Sequence, residues 1–121
     1  MSEKERKTLR YTLENLTIGS IIKVIFSDKE EVYIVNDKNN FCELKIVDYG
    51  VIINKESSMD HILSYFCNKE VKNIEQFSGK ELSSIKTLLL EILFGISKYE
   101  TDNIHEKEIT DKVNKLKKIL Y

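Results

Sequence analysis

The chain has 121 residues, which is the size of one domain and too short for two. Its 19 basic and 20 acidic side chains give a net charge of −1, so no overall field of one sign attracts nucleic acid or anionic lipid. The hydrophobic fraction of 41% and the charged fraction of 32% predict one globular domain over residues 1–121 with a highly charged exterior.

Several features indicate a cytoplasmic protein with no membrane partner. The N-terminal "MSEKERKTLRYTLENL" mixes acids with bases and has no apolar core of a secretory signal. Glu91 and Lys98 interrupt the most apolar stretch before it reaches the roughly 18 residues of a membrane span. Cys42 and Cys67 lie within apolar patterns and are expected to be buried free thiols. The absence of Pro and Trp and the abundance of Lys, Ile and Asn are typical of a low-GC bacterium or its phages.

The N-terminal segment fits two structures. Leu9, Tyr11 and Leu13 alternate as in a strand, whereas Leu9, Leu13 and Leu16 also lie at helical spacing. We favour a helix or a frayed arm for the first dozen residues, with residues 1–8 as a flexible arm.

Residues 17–54 predict an antiparallel β-meander of four short strands. Apolar and polar residues alternate there with a period of two, interrupted by the polar clusters "SDKE" and "NDKNN". Asp and Asn favour turns because their side chains bond to their own backbone. Each of the first three strands is expected to have one apolar face, formed by Ile22, Val24 and Phe26, then Val32 and Ile34, then Cys42, Leu44 and Ile46.

One segment of this region carries a resemblance. "LTIGSIIKVIFSDKEEVYIV" resembles the first strands of SH3-like and other small β-barrels, where a glycine-containing turn leads into a strand and a hairpin. The resemblance implies that the strands close into an SH3-like or partly open barrel. It covers only a short part of the chain and implies no function and no site residue.

Residues 57–121 change to a period of 3.6 and predict two or three helices, so the fold class is α+β. The first helix begins at Ser57 or Ser58, whose hydroxyl can cap it, and the second begins near Ser78. The connection "NKEVKNIEQF" has room for one more short strand. The last two helices are expected to form an antiparallel hairpin because a short polar link joins them. The apolar stripe of the first helix consists of Met59, Ile62, Leu63, Phe66 and Cys67.

The last two helices carry more apolar side chains than four short strands can cover. A helix that is apolar on several sides is expected in a core or in an interface. The sequence therefore predicts a non-catalytic protein-binding or regulatory module whose partner is another protein or a second copy in a homodimer. Such a module would also suit a phage or mobile-element inhibitor that occludes a host protein. The candidate interface consists of Leu82, Ile85, Leu89, Ile92, Ile96, Tyr99, Val113, Leu116 and Leu120.

No motif predicts catalysis, so we expect no enzyme, no catalytic residue, no cofactor and no metal. His61 and His105 lack a second ligand at metal-binding spacing, and no serine lies in a G-x-S-x-G elbow. The four glycines are too far apart to cradle a phosphate. Glu30 and Glu31 are the only two acidic residues that are adjacent in the sequence, and we expect them in a solvated turn.

The alternative function is a small β-sheet protein that binds nucleic acid. Tyr33, Phe41 and Tyr49 would stack on bases, and terminal basic clusters would contact phosphates. Interleaved acids such as Glu5 and Asp111 cancel part of this positive potential. The candidate nucleic-acid contacts are Lys4, Arg6, Lys7, Arg10, Lys115, Lys117 and Lys118.

Overall fold

A computed structural model describes residues 1–36, 38–48, 50–99 and 103–121, with side chains described as far as residue 94 and again from residue 107. The described residues form an α+β fold, as predicted. The order of its elements is α1 (Glu3–Glu14), β1 (Ile21–Ile25), β2 (Glu30–Val35), β3 (Phe41–Val47), β4 (Gly50–Ile53), α2 (Met59–Asn68), β5 (Asn73–Gln76), α3 (Gly79–Tyr99) and α4 (Asn103–Leu120).

The strands form an open antiparallel sheet with the order β4-β3-β2-β1-β5. The first four follow the predicted meander, with Ile22 opposite Tyr33 between β1 and β2. The fifth strand lies in the connection where the sequence left room for it, and it pairs antiparallel with β1. The described sheet thus has five strands rather than four, and it does not confirm an SH3-like or partly open barrel.

The contacts divide the chain into two compact units. Unit 1 consists of Met1–Glu43 and Asn54–Gln76, and unit 2 consists of Leu44–Ile53 and Phe77–Tyr121. Unit 1 therefore holds α1, α2, β1, β2, β5 and the start of β3. Unit 2 holds the rest of β3 with β4, α3 and α4. The single domain over residues 1–121 stays a prediction.

The ambiguous N-terminal segment is helical. Ser2 caps α1, because its Oγ accepts a hydrogen bond from the N–H of Glu5 at 3.1 Å. Leu9 and Leu13 are buried, which selects the helical spacing over the alternating one. Most of the predicted arm, residues 1–8, therefore lies within α1.

The core of unit 1 is built around α2. This helix begins after Ser58, whose Oγ accepts from the N–H of His61 at 3.3 Å, which confirms one of the two predicted caps. Phe66 is fully buried and makes edge-to-face contacts with Phe26 and Tyr33, with ring centroids 6.0 and 5.4 Å away. The core consists of Leu9, Leu13, Ile22, Val24, Phe26, Tyr33, Val35, Phe41, Ile62, Leu63 and Phe66.

The central strands are buried on both faces. Ile21 and Ile22 are neighbours on β1 and point to opposite faces, yet both are buried, and the same holds for Val32 and Tyr33 on β2. The sequence predicted one apolar face for each strand and missed the second. The period-two pattern predicts that Tyr33 is half-exposed. In the structure its ring packs in the core.

In unit 2, α3 and α4 pack against each other and both contact β4. Lys112 of α4 and Glu91 of α3 form an ion pair, with Nζ and Oε2 3.0 Å apart. The buried side chains lie at steps of three and four residues, as predicted. They are Ile85, Leu89 and Ile92 on α3 and Val113, Leu116 and Leu120 on α4. The antiparallel direction of this helix pair stays a prediction.

Candidate functional site

Three large apolar side chains of α3 lie open to solvent. The exposed fractions are 56% for Leu90, 41% for Leu93 and 69% for Phe94. Their spacing of three and four residues places them together on one side of the helix. The buried Leu89 and Ile92 point to a different side. We call the group of Leu90, Leu93 and Phe94 the outer face of α3, and it is the candidate functional site.

The outer face combines exposed apolar side chains with charged neighbours. Single exposed apolar residues are common on proteins, whereas large contiguous apolar patches mark sites of interaction. Covering one such side chain is worth roughly 1.5–3 kcal/mol. Lys86 is exposed one turn before Leu90, and the Glu91–Lys112 ion pair belongs to the same two helices. An apolar centre next to charged groups is the usual arrangement of a protein–protein interface.

The structure places most of the predicted interface inside the chain. Six of its nine residues are buried: Ile85, Leu89, Ile92, Val113, Leu116 and Leu120. Leu82 is half-buried, and the side chains of Ile96 and Tyr99 lie outside the described residues. The regular apolar stripe of a helix normally faces the core of its own chain. The side chains available to a partner are therefore those beside this stripe.

The residues of the outer face left a weak signal in the sequence. Leu90, Leu93 and Phe94 widen the apolar surface of α3 beyond one line of steps of three and four. Such an excess indicates that more than one side of the helix needs cover. It does not say which side the rest of the chain covers, so the predicted interface includes residues that the chain itself buries.

The two groups of predicted nucleic-acid contacts lie on different helices, with Lys4, Arg6, Lys7 and Arg10 on α1 and Lys115, Lys117 and Lys118 on α4. Arg10 is engaged within the chain, 2.9 Å from Asp60 Oδ1 and 3.5 Å from Glu14 Oε1. The predicted stacking residues Tyr33 and Phe41 are buried, so their rings cannot receive a base. Tyr49 lies outside the described residues.

A polar network joins the β1–β2 hairpin to α2. Only 11% of the Glu31 side chain is exposed, and its carboxylate accepts from Tyr65 Oη at 3.0 Å and from Tyr33 Oη at 3.1 Å. Lys29 Nζ lies 3.4 Å from the same carboxylate and donates to Tyr65 Oη at 2.9 Å. The predicted solvated turn is therefore wrong for Glu31, because Tyr65 of α2 lies over it. Glu30 is exposed, as expected, but it is the first residue of β2 rather than part of a turn, and its Oε2 lies 3.3 Å from Lys23 Nζ.

The protonation of this network suits a structural role. Burial, with the charge of Glu31 as the next cause, raises the pKa of Tyr33 well above its ordinary value, and burial also raises the pKa of Tyr65. The hydrogen bond to Tyr65 raises the pKa of Lys29 to about 12. These three groups keep their protons at neutral pH. A general acid or base works best with a pKa near the operating pH, and these three groups are far from it.

Other candidate chemistry is sparse in the part of the chain that the structure describes. No group of three or more His, Cys, Asp or Glu side chains there could hold a metal ion. His61 is exposed, and the side chain of His105 lies outside the described residues. Cys42 and Cys67 are both free thiols, as expected. Cys42 is buried, as predicted, whereas Cys67 is only half-buried. Of the helices searched over the described residues, none has the length and apolarity needed to cross a membrane.

We expect the protein to lose stability as the pH rises above about 10. The folded-state pKa values of Tyr33, Tyr65 and Lys29 lie above the ordinary values of 10.0, 10.0 and 10.5. A group of this kind contributes stability that is complete below its unfolded pKa and is lost as the pH rises through its folded pKa. Urea unfolding at a series of pH values from about 8 to about 12 measures the loss.

Two tyrosine variants identify the source of this pH dependence. Tyr33→Phe removes one buried phenol, so the free energy of unfolding should fall less steeply with alkaline pH. Tyr11→Phe removes an exposed phenol and should leave the slope unchanged. The assignment fails if all three proteins lose stability with the same slope.

Comparison with known proteins gives no relative for this chain. No protein-family model matches it. No curated protein and no solved structure is significantly similar to it. Its function must therefore be inferred from its own side chains.

Proposed function

We propose that this chain is a cytoplasmic, non-catalytic protein-binding module and that the outer face of α3 is its contact surface. The observation that carries the proposal is the exposure of Leu90, Leu93 and Phe94 side by side on one helix. Phe94 is the largest and most exposed of the three, so it is the expected anchor. Aromatic anchors that enter a pocket of the partner often dominate the binding energy.

The proposed partner is a protein with an apolar groove that accepts one side of a helix. Grooves of this type recognise side chains at steps of three and four residues. The spacing of Leu90, Leu93 and Phe94 meets this requirement. The proposal includes the finer expectations that α3 and α4 form an antiparallel hairpin and that the protein acts as an inhibitor, from a phage or mobile element, that occludes a host protein.

Capture of partners with matched variants tests the proposal. The tagged wild-type chain, Phe94→Ser and Tyr11→Ser are immobilised and exposed to a lysate of the cells that make the protein. Tyr11 is an exposed aromatic residue on α1, outside the outer face, and so provides the control. We expect Tyr11→Ser to retain the partner and Phe94→Ser to lose it. With the purified partner, Phe94→Ser should bind about 30-fold more weakly, which corresponds to roughly 2 kcal/mol.

The same experiment separates the alternatives. An identical set of captured proteins for all three chains would contradict the assignment of the outer face. Binding of a labelled oligonucleotide at low salt that weakens steeply as salt rises would favour nucleic-acid binding instead. No captured protein and no oligonucleotide binding would remove both proposals.

A further inference from the structure

Strand β4 lies at one edge of the sheet. Within the described residues β4 pairs only with β3, and it is the last strand of the sheet. The N–H of Asn54 donates to the carbonyl of Glu43 at 2.9 Å, so these two residues form a hydrogen-bonded pair of the antiparallel ladder. Such pairs alternate along the strand, and Ile52 is therefore also bonded to β3. The N–H and C=O groups of Val51 and Ile53 point away from β3, to the open edge.

The side chains of β4 do not protect this edge. Its sequence is "GVII", with no charged residue and no proline. Ile52 and Ile53 are each 47% exposed, one on each face of the sheet. Natural edge strands are often very short, or carry Lys, Pro or a bulge that prevents pairing with another strand. Strand β4 is short, with four residues, but it carries neither Lys nor Pro. The open groups and the apolar side chains together fit another β-strand as the occupant.

We propose that a second copy of this chain pairs with β4, edge to edge and antiparallel, about a two-fold axis that passes next to Ile52. In this register Val51 of each copy lies opposite Ile53 of the other. Both residues offer outward N–H and C=O groups, so the two pairs form about four backbone hydrogen bonds. The Ile52 side chains of the two copies then lie directly opposite each other as a non-hydrogen-bonded pair, which is the closer kind of cross-strand contact.

The geometry of the edge favours a second copy over an unrelated strand. Val51 and Ile53 are two positions apart on β4, so their side chains point to the same face of the sheet. A two-fold axis normal to the sheet keeps this face on the same side in both copies, and Val51 of one copy can therefore lie opposite Ile53 of the other. The edge is thus complementary to itself in both hydrogen bonds and apolar side chains. The net charge of −1 leaves little electrostatic repulsion between copies. This dimer does not depend on the outer face of α3, so either proposal can fail without the other.

Two variants are designed to block the edge. Val51→Pro removes an N–H that points outward and leaves the β3–β4 ladder intact, because proline is tolerated at open strand edges. Ile52→Lys places two positive charges opposite each other across the two-fold axis. Within the chain the new lysine also lies opposite Lys45 of β3, so the folding of this variant is measured with its mass. Val47→Lys is the matched control: Val47 is also exposed and lies on the same face as Ile52, but it belongs to β3 and not to the edge.

Sedimentation equilibrium of the purified full chain from about 1 to about 300 μM measures the assembly, since a small interface of this kind should bind in the micromolar range. The wild-type mass should rise with concentration from 14.2 kDa to twice that value. Val47→Lys should behave in the same way, whereas Val51→Pro and Ile52→Lys should stay monomeric. Circular dichroism shows which variants are folded, and Ile52→Lys decides the result if Val51→Pro does not fold.

Two results would overturn the proposal. One is a wild-type chain that stays monomeric over the whole concentration range. The other is a dimer that persists in the folded Ile52→Lys variant. If that dimer is lost in Phe94→Ser, the outer face of α3 forms the self-contact instead.

Discussion

Replacement of Ile92 by aspartate is expected to abolish folding, whereas the same change at the adjacent Leu93 should leave the fold intact. Ile92 is fully buried on α3, and an unpaired carboxylate there loses its hydration without gaining a partner. This penalty of several kcal/mol is comparable with the whole stability of a small domain, about 5–15 kcal/mol. Leu93 is partly exposed on the outer face, so its substituted carboxylate can keep much of its contact with water.

Circular dichroism and thermal unfolding of the two variants measure this difference. Leu89→Asp serves as a second test, since Leu89 is also buried on α3. We expect no cooperative transition for Ile92→Asp and Leu89→Asp and a near wild-type transition for Leu93→Asp. A folded Ile92→Asp, or an unfolded Leu93→Asp, would show that the two sides of α3 are wrongly assigned.

The second large effect is expected from Phe66→Ala in the core of unit 1. Phe66 is fully buried on α2 and contacts the rings of Phe26, Tyr33 and Tyr65. Truncation removes its transfer free energy and leaves a cavity among rings that are held in place by other contacts. We expect the free energy of unfolding to fall by about 3–5 kcal/mol.

Urea unfolding of Phe66→Ala and Phe94→Ala gives a matched comparison of two phenylalanines, one buried and one exposed. Phe94→Ala should change the free energy of unfolding by no more than about 0.5 kcal/mol, because the ring already lies in solvent. Similar losses in both variants would mean that Phe94 contributes to a core and would remove the basis of the proposed binding surface.

These two comparisons would separate a stabilising side of α3 from the proposed binding side. The buried side, which includes Ile85 and Ile92, holds unit 2 together. The exposed parts of the outer face add nothing to folding, and covering them with a partner would remove apolar surface from water. A variant that loses binding without losing stability is the expected signature of such a surface.

The sequence by itself determined the elements whose signals are local. The meander, the stripe of α2 and the buried lines of α3 and α4 follow from periods of two and 3.6, which reflect how side chains point from each backbone type. The cap at Ser58 also depends only on its near neighbours.

Two elements needed contacts that are distant in the chain. The N-terminal segment satisfied both a strand and a helix pattern, and burial of Leu9 and Leu13 in the core with α2 decided for α1. Strand β5 has the sequence "NIEQ", which offers a single apolar residue and no alternation to read. It is a strand because β1 offers it an edge, with Val24 opposite Ile74.

Only the tertiary structure decided which apolar and charged side chains meet solvent. The sequence showed that α3 has more apolar residues than one stripe requires. Burial depends on neighbours from other elements, so the sequence could not show that Leu90, Leu93 and Phe94 are exposed. Nor could it show that Leu89 and Ile92 are buried. For the same reason the sequence predicted a solvated turn for Glu31, because the tyrosine that binds its carboxylate, Tyr65, lies 34 positions further along the chain. Periodicity records the direction of a side chain relative to its own backbone, and the fold decides what lies in that direction.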